Sequence, residues 1–196
     1  GDHMITKLAK STTHFFVQKN IIKADDEKVY AYGMELLFST IMNIFLVVVI
    51  AAVSKKIIPI LIYMTSFIIL RQFIGGYHAK THIGCMGILA VVLTIFIYVI
   101  SIYQYFSFVI TVTSCITSGI LVFRYAPVEH PNNPLSDKDI IILRKKSIIS
   151  LLALTALIAI LSLFSLTAEY GMYISLGILT ASLAMVCEIL KSEGNR

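Results

Sequence analysis

The 196-residue chain is 58% hydrophobic and only 14% charged, has no tryptophan and carries a formal net charge of +5. Its apolar residues come in long blocks rather than at the spacing of a soluble core, and as a water-soluble domain it would expose those blocks as aggregating patches, so a globular aqueous fold is excluded. The basic residues lie between the blocks and form no aromatic-interleaved face; they report membrane topology and leave no case for nucleic acid as a partner.

Residues 1–3, Gly1-Asp2-His3, read as a cloning remnant ahead of a start at Met4, so His3 is set aside, and no cleavable signal peptide is expected to follow. Residues 4–32 form an N-terminal interfacial region. There Ile5, Leu8, Thr12, Phe15, Phe16 and Ile22 recur at helical spacing while Lys7, Lys10 and Lys19 lie largely off that stripe, the pattern of an amphipathic helix resting on membrane lipid. Asp25-Asp26-Glu27 then supplies an acidic start for a helix running into the first span.

Residues 33–190 form the transmembrane domain, with apolar runs at 34–53, 57–70, 83–102, 106–123, 147–166 and 171–190, followed by a tail at 191–196. These runs lack the alternation of a barrel strand, and an unclosed sheet would leave backbone groups unpaired in lipid. The expected fold is therefore an all-α integral membrane protein with about six transmembrane helices. With the amino terminus inside, 14 of the 16 Lys and Arg residues fall on inner segments and only Lys55 and Lys56 on outer ones. The positive-inside rule then puts both termini in the cytoplasm. The longest polar segment, 124–146, holds Pro127, Pro131 and Pro134, so its first half reads as a cytoplasmic loop. Ser136 followed by Asp139 predicts a capping box that starts a helix past Arg144, Lys145 and Lys146, whose simplest use is anchoring at anionic headgroups.

Only 14 apolar residues separate Lys56 from Arg71, about 21 Å of helix against about 30 Å of hydrocarbon. The loop that follows, 71–85, packs Gly75, Gly76, Gly84, His78, His82 and Cys85 next to the membrane. A neutral histidine that takes a cysteine proton gives a thiolate nucleophile, which makes His78 and Cys85 a candidate dyad. On one continuous helix they would share a face but stand about 10.5 Å apart, so the helix must break, and Gly75, Gly76 and Gly84 supply the freedom. Two other readings stay open on these residues alone. One is a glycine-rich turn with solvated histidines and a cysteine that packs as a small apolar residue. The other is a metal site of His78, His82 and Cys85, whose spacings of four and three place three ligands on one helical face. Cys115 and Cys187 lie within spans without a nearby histidine; the odd number of cysteines argues against a disulfide framework and for reduced thiols.

Gly75-Gly76-Tyr77-His78-Ala79 followed by Cys85 resembles the active-site signature of the accessory gene regulator B (AgrB) family. The chain is also similar to that family in length, in its multi-span organisation, in Gly33-Met34-Glu35 at the start of the first span and in Tyr125-Ala126-Pro127 before a polar loop. The resemblance covers nearly the whole chain. It implies a bacterial membrane cysteine endopeptidase of peptide quorum sensing, with His78 as base and Cys85 as nucleophile and no metal or other cofactor. The implied partner is an AgrD-like autoinducer precursor, whose carboxyl-terminal tail is removed through an acyl-enzyme thioester before the peptide closes to a thiolactone.

Family precursors pair an amphipathic helix with an acidic tail, and the interfacial helix and the basic residues Arg71, Lys80, Arg144, Lys145 and Lys146 offer each half a counterpart. No third residue orienting His78 is evident; Glu35, entering the first span, and Glu129, in the polar loop, are the candidates. Small and polar span residues such as Ser114, Ser118 and Gly119, read as exposed, permit association into a homodimer. The rival classes are a transporter or exporter of the peptide and a non-catalytic scaffold. The spans show no inverted repeat and almost no mid-depth charge, which disfavours the first, and the second leaves the dyad unexplained.

Overall fold

The computed structural model describes residues 2–76, 81–129, 136–164 and 167–194. Among them are seven α-helices and no strand: α1 (Asp2–Gln18), α2 (Glu27–Ser54), α3 (Ile57–Ile74), α4 (His82–Ile102), α5 (Ser107–Tyr125), α6 (Asp137–Ser162) and α7 (Ala168–Gly194). Six of these, α2 to α7, are long and apolar enough to cross a membrane. The chain is an all-α, multi-pass membrane protein, the form in which each span satisfies its own backbone in lipid.

The helices fall into two compact units. The first lies within Gly1–Lys55 and Ala79–Thr94 and holds α1, α2 and the opening turns of α4. Here α1 packs along α2 and buries Ile5, Ala9 and Thr13, with the Thr13 hydroxyl returned to the Ala9 carbonyl at 2.8 Å. The buried face therefore runs on from Ile5 through the small residues Ala9 and Thr13, while Leu8 and Phe15, on the stripe expected to rest on lipid, are exposed. Small side chains bring two helix backbones close, whereas the large ones on either side are free to meet lipid. His14 Nδ1 lies 3.6 Å from Glu27 Oε1, linking the two helices where the chain turns between them. Along α2 only Ser39 and Ala51 are buried, while Leu36, Leu37, Ile41, Phe45 and Val48 are exposed, as lipid-facing side chains are.

The second unit lies within Lys56–His78 and Ile95–Arg196 and is built round α7, which packs on α3, α5 and α6. Its core joins Leu70, Ile74, Val122, Leu151, Ile158, Ile178, Ala181 and Met185. The crossing of α3 and α7 is close because Gly177 has no side chain: a Cβ there would overlap the Ser66 hydroxyl and stand 2.5 Å from the Tyr63 carbonyl. Beside this contact the Tyr63 hydroxyl donates to Thr180 Oγ1 at 2.9 Å. The Tyr63 ring stacks on Phe96 of α4 at 4.2 Å, and Phe96 meets Tyr173 edge-on at 6.0 Å. Polar and aromatic groups thus tie the spans where hydrocarbon supplies no hydrophobic drive.

Two sequence expectations change in this unit. Helix α3 does not end at Leu70 but runs on through Arg71 to Ile74, 18 residues or about 27 Å, so the second span is less short than its apolar run suggests. Ser114 and Ser118 are not exposed for a second copy of the chain; with Thr111 and Val122 they form the buried face of α5, which packs chiefly on α7. The capping box is present: Ser136 Oγ accepts from the Asp139 N–H and the Asp139 carboxylate accepts from the Ser136 N–H, starting α6 ten residues ahead of its apolar run.

Candidate active site

In the first unit, α4 opens immediately before the cysteine. Thr81 is its N-cap: the hydroxyl accepts the Gly84 N–H at 3.0 Å, and the Thr81 carbonyl accepts the Cys85 N–H at 3.1 Å. Gly84 is therefore in the first turn of the helix and the chain breaks ahead of it. Cys85 stands at the end of that turn, half-buried and reduced, where the helix dipole favours an anion. His82, half-buried, precedes it by three residues on the same helix. Glu35 belongs to this unit too, half-buried on α2.

In the second unit, α3 stops abruptly. The Gly75 N–H still bonds to the Arg71 carbonyl at 3.1 Å, but Gly75 has φ 75° and Gly76 φ 147°, both in the region that favours glycine. The Ile74 carbonyl, which a longer helix would have used, instead accepts the Val128 N–H at 3.0 Å. A Cβ on Gly75 would stand 2.5 Å from the Val128 carbonyl, so the position demands glycine for space as well as for conformation. This contact explains Tyr125-Ala126-Pro127: α5 ends at Tyr125, Ala126 turns to an extended conformation and enters the core, and Val128 is delivered to the end of α3.

The cations gather at this same end. Arg71 lies over the Phe67 ring at 5.4 Å, with its Nη1 3.0 Å from where a Gly76 Cβ would be. Arg144 Nη2 donates to the Phe123 carbonyl at 3.3 Å, and Lys146 Nζ is 6.0 Å from the Phe73 ring centre. Arg144, Lys145 and Lys146 are exposed, as is Glu129 just beyond Val128. The second unit thus brings together Gly75, Gly76, Arg71, Glu129 and the basic run of α6. His78 and Lys80 lie outside the described residues.

One residue of this end escaped the sequence reading. Glu188 of α7 is a buried carboxylate, 2% exposed, one turn beyond Met185. The signal was an acid inside the final apolar run, obscured because Lys191 three residues on makes the pair look like an ordinary helix terminus. Among the described residues no group of three His, Cys, Asp or Glu side chains is placed to hold a metal ion.

A family model for accessory gene regulator B matches residues 3–187, both units included. The chain belongs to the AgrB family. An AgrB-like protein of Lactiplantibacillus plantarum is 23% identical over 142 residues, covering 69% of each chain. No solved structure matches. AgrB membership links the chain to peptide processing in the accessory gene regulator system of quorum sensing, in which the family acts with an AgrD-type precursor peptide.

Proposed function

We propose that this AgrB protein is a cysteine endopeptidase that removes the carboxyl-terminal tail of its precursor and passes the remaining acyl group on to a cyclic thiolactone. The observation that carries the reading is Cys85 in the capped first turn of α4, nine residues after Gly76 in the sequence, inside a family match that spans residues 3–187. His78 takes the Cys85 proton and the thiolate attacks the scissile carbonyl. The imidazolium returns its proton to the departing tail amine, leaving the acyl group on Cys85 as a thioester. A precursor cysteine then attacks that thioester and frees Cys85. Exchange of one thioester for another is nearly isoenergetic, and a hydrophobic setting that keeps water out protects the intermediate.

The positive-inside count supports placing this chemistry at the cytoplasmic face with both termini inside. The α1 surface around Leu8 and Phe15 and the adjoining lipid suit an amphipathic substrate helix. Arg71, Lys80, Arg144, Lys145 and Lys146 suit its acidic tail.

The test is purified protein in lipid vesicles with the precursor peptide, followed by mass spectrometry. A released tail fragment and an acyl adduct on Cys85, both lost in Cys85→Ala and in His78→Ala and both kept in Cys115→Ala and Cys187→Ala, are expected. Tail release that survives Cys85→Ala overturns the mechanism. Replacing Arg144, Lys145 and Lys146 by glutamate raises the apparent KM if they hold the tail; an unchanged KM removes them from substrate binding.

A further inference from the structure

Helix α6 is longer than a membrane crossing needs. About 20 residues span the roughly 30 Å of hydrocarbon, and that many counted back from Ser162, its last residue, end at Leu143. Arg144, Lys145 and Lys146 therefore lie at the edge of the hydrocarbon, in the first turn inside it, where a bare charge is costly. Side chains on a helix lean toward its N-terminus, which here is the way out of the hydrocarbon, so all three reach up to the layer of lipid headgroups.

Successive residues of a helix point about 100° apart, so the three cations fan out. Lys146 turns to α3, where its Nζ is 6.0 Å from the Phe73 ring centre, and Arg144 to α5, where its Nη2 donates to the Phe123 carbonyl at 3.3 Å. The buried residues Ser147, Leu151, Leu154 and Ile158 mark the side of α6 that lies on the core. Lys145, two residues before Ser147, points nearly the opposite way and is exposed. On that outward side an open groove of about 380 Å³ runs along Ile141, Arg144, Lys145, Ile148 and Ile149. Its walls are almost wholly apolar, so the two cations line it with their aliphatic stems and hold their charges at its rim. Ile141 is 69% exposed and Ile149 54%, so no other helix covers the groove.

We infer that this groove is a binding site for one anionic diacyl phospholipid, with the phosphate on Arg144 and Lys145 and an acyl chain along Ile148 and Ile149 toward Leu152. Charge and depth both fit: the cations stand at headgroup level and the isoleucines below them in hydrocarbon. A guanidinium has five N–H donors, so the bond from Arg144 to Phe123 leaves others for phosphate oxygens. An acidic peptide fits the groove less well, because its carboxylates recur along its length while the groove offers charge at one level and isoleucine over the rest. Lys146, turned to α3, is the one of the three that stays on the flank of the candidate site. Lipid at this face requires nothing of the peptidase chemistry, so the two readings stand or fall separately.

The chain has no tryptophan, so an introduced one is an unambiguous fluorescent reporter. Leu152→Trp, one turn beyond Ile148 on the exposed side, reports the groove, and Ile120→Trp, exposed on α5, reports ordinary lipid contact. Each protein is reconstituted in vesicles in which brominated phosphatidylglycerol or brominated phosphatidylcholine replaces part of the lipid, and quenching gives the relative binding of the two. With two cations contributing about fivefold each, the Leu152→Trp reporter should prefer phosphatidylglycerol by about 25-fold, against less than about twofold for Ile120→Trp. Added to the first reporter, Lys145→Gln should lower the preference about fivefold, and Lys145→Arg should keep it, which separates loss of charge from misfolding. Lys146→Gln, the same loss of charge on the other flank, should lower it by less than about twofold. Ile149→Phe keeps charge and insertion but lays its ring over the preceding turn, filling the groove, and should lower the preference about fivefold or more.

Equal preferences at the two reporters overturn the inference. Equal losses in Lys145→Gln and Lys146→Gln overturn it too, because the whole positive end then attracts anionic lipid without a site. An unchanged preference in Ile149→Phe reduces the cations to an anion patch open to an acidic peptide, and loss of the preference in millimolar glycerol 3-phosphate makes the ligand a free phosphate; either result overturns it.

Discussion

Helices α2 and α7 are both membrane-spanning, yet they are held in place by different means. Only 11% of the most apolar stretch of α2 is buried by protein, against 50% in α7, although α2 is the more apolar of the two. In water the more apolar helix would be expected to be the more buried; in a bilayer the relation breaks, because lipid tails satisfy leucine as well as a protein core does. Burial here follows small and polar residues. Gly171, Ser175, Gly177, Ala181 and Ser182 let α7 approach its neighbours, whereas α2 presents Leu36, Ile41, Phe45 and Val48 to lipid. The helix that organises the fold is thus recognised by what its side chains lack.

The largest test of this contrast is at the two glycines. Gly177→Leu should abolish the α3–α7 crossing, and even Gly177→Ala should destabilise the protein by about 1–3 kcal/mol, because the obstructing atoms beyond the Ser66 hydroxyl are the backbone carbonyl of Tyr63 and amide of Phe67, which cannot swing aside. Gly33→Ala, in α2, meets nothing within 4 Å and should be neutral or stabilise by up to about 1 kcal/mol through helix propensity. Reversible unfolding in mixed micelles, followed by far-ultraviolet circular dichroism, measures both. Equal losses at the two sites would break the comparison.

Truncation gives the next effect. Met185→Ala opens a hole in a fully buried position and should cost about 2 kcal/mol, the low end of the soluble range, because lipid contact offsets the transfer part. Phe45→Ala removes a larger side chain that is 63% exposed, and should change stability by no more than about 0.5 kcal/mol. The smaller deletion costing more than the larger one is the signature to look for in the same titration.

The six spans were legible because the apolar runs are long, and the start of α6 because Ser136 and Asp139 carry their own geometry. Their packing was less so. The face of α1 that packs on α2 is hidden in the apolar pattern, since Leu8 and Phe15 outweigh Ala9 and Thr13 on any hydrophobicity criterion while the close approach to α2 selects the small pair and leaves the large ones exposed. The burial of Ser114 and Ser118 is hidden in the sequence for the same reason. At the site, Gly75 and Gly76 could be read locally because positive φ is a property of the residue, but the lock on Gly75 comes from Val128, more than fifty positions away. Glu188 belongs to this second kind: its identity is plain in the sequence, and its burial depends on which way α7 faces.

In the first unit local terms carry more of the weight, and the N-cap of α4 tests this. Thr81→Ala removes the acceptor for the Gly84 N–H and should cost about 1 kcal/mol, concentrated as fraying of the first turn. Hydrogen exchange resolves it: the amides of Gly84 and Cys85 should exchange about fivefold faster or more, while those near Gly177 stay unchanged. Thr81→Ser should restore protection. A loss spread evenly over both units would mean that α4 is held by packing after all.

The finest test lies within the second unit. Tyr63→Phe keeps the ring that stacks on Phe96 and removes only the hydroxyl that donates to Thr180. Inter-helix hydrogen bonds in membranes average about 0.6 kcal/mol, so the loss should be near that value, well below the cost at Gly177. Pairing the change with Thr180→Ala makes the measurement decisive: in a double-mutant cycle the second substitution should add almost nothing once the tyrosine hydroxyl is gone. Additive losses would show that the two groups contribute separately. The close α3–α7 approach would then be held by the absence of a side chain at Gly177 and by ring packing, with no contribution from the hydrogen bond beside them.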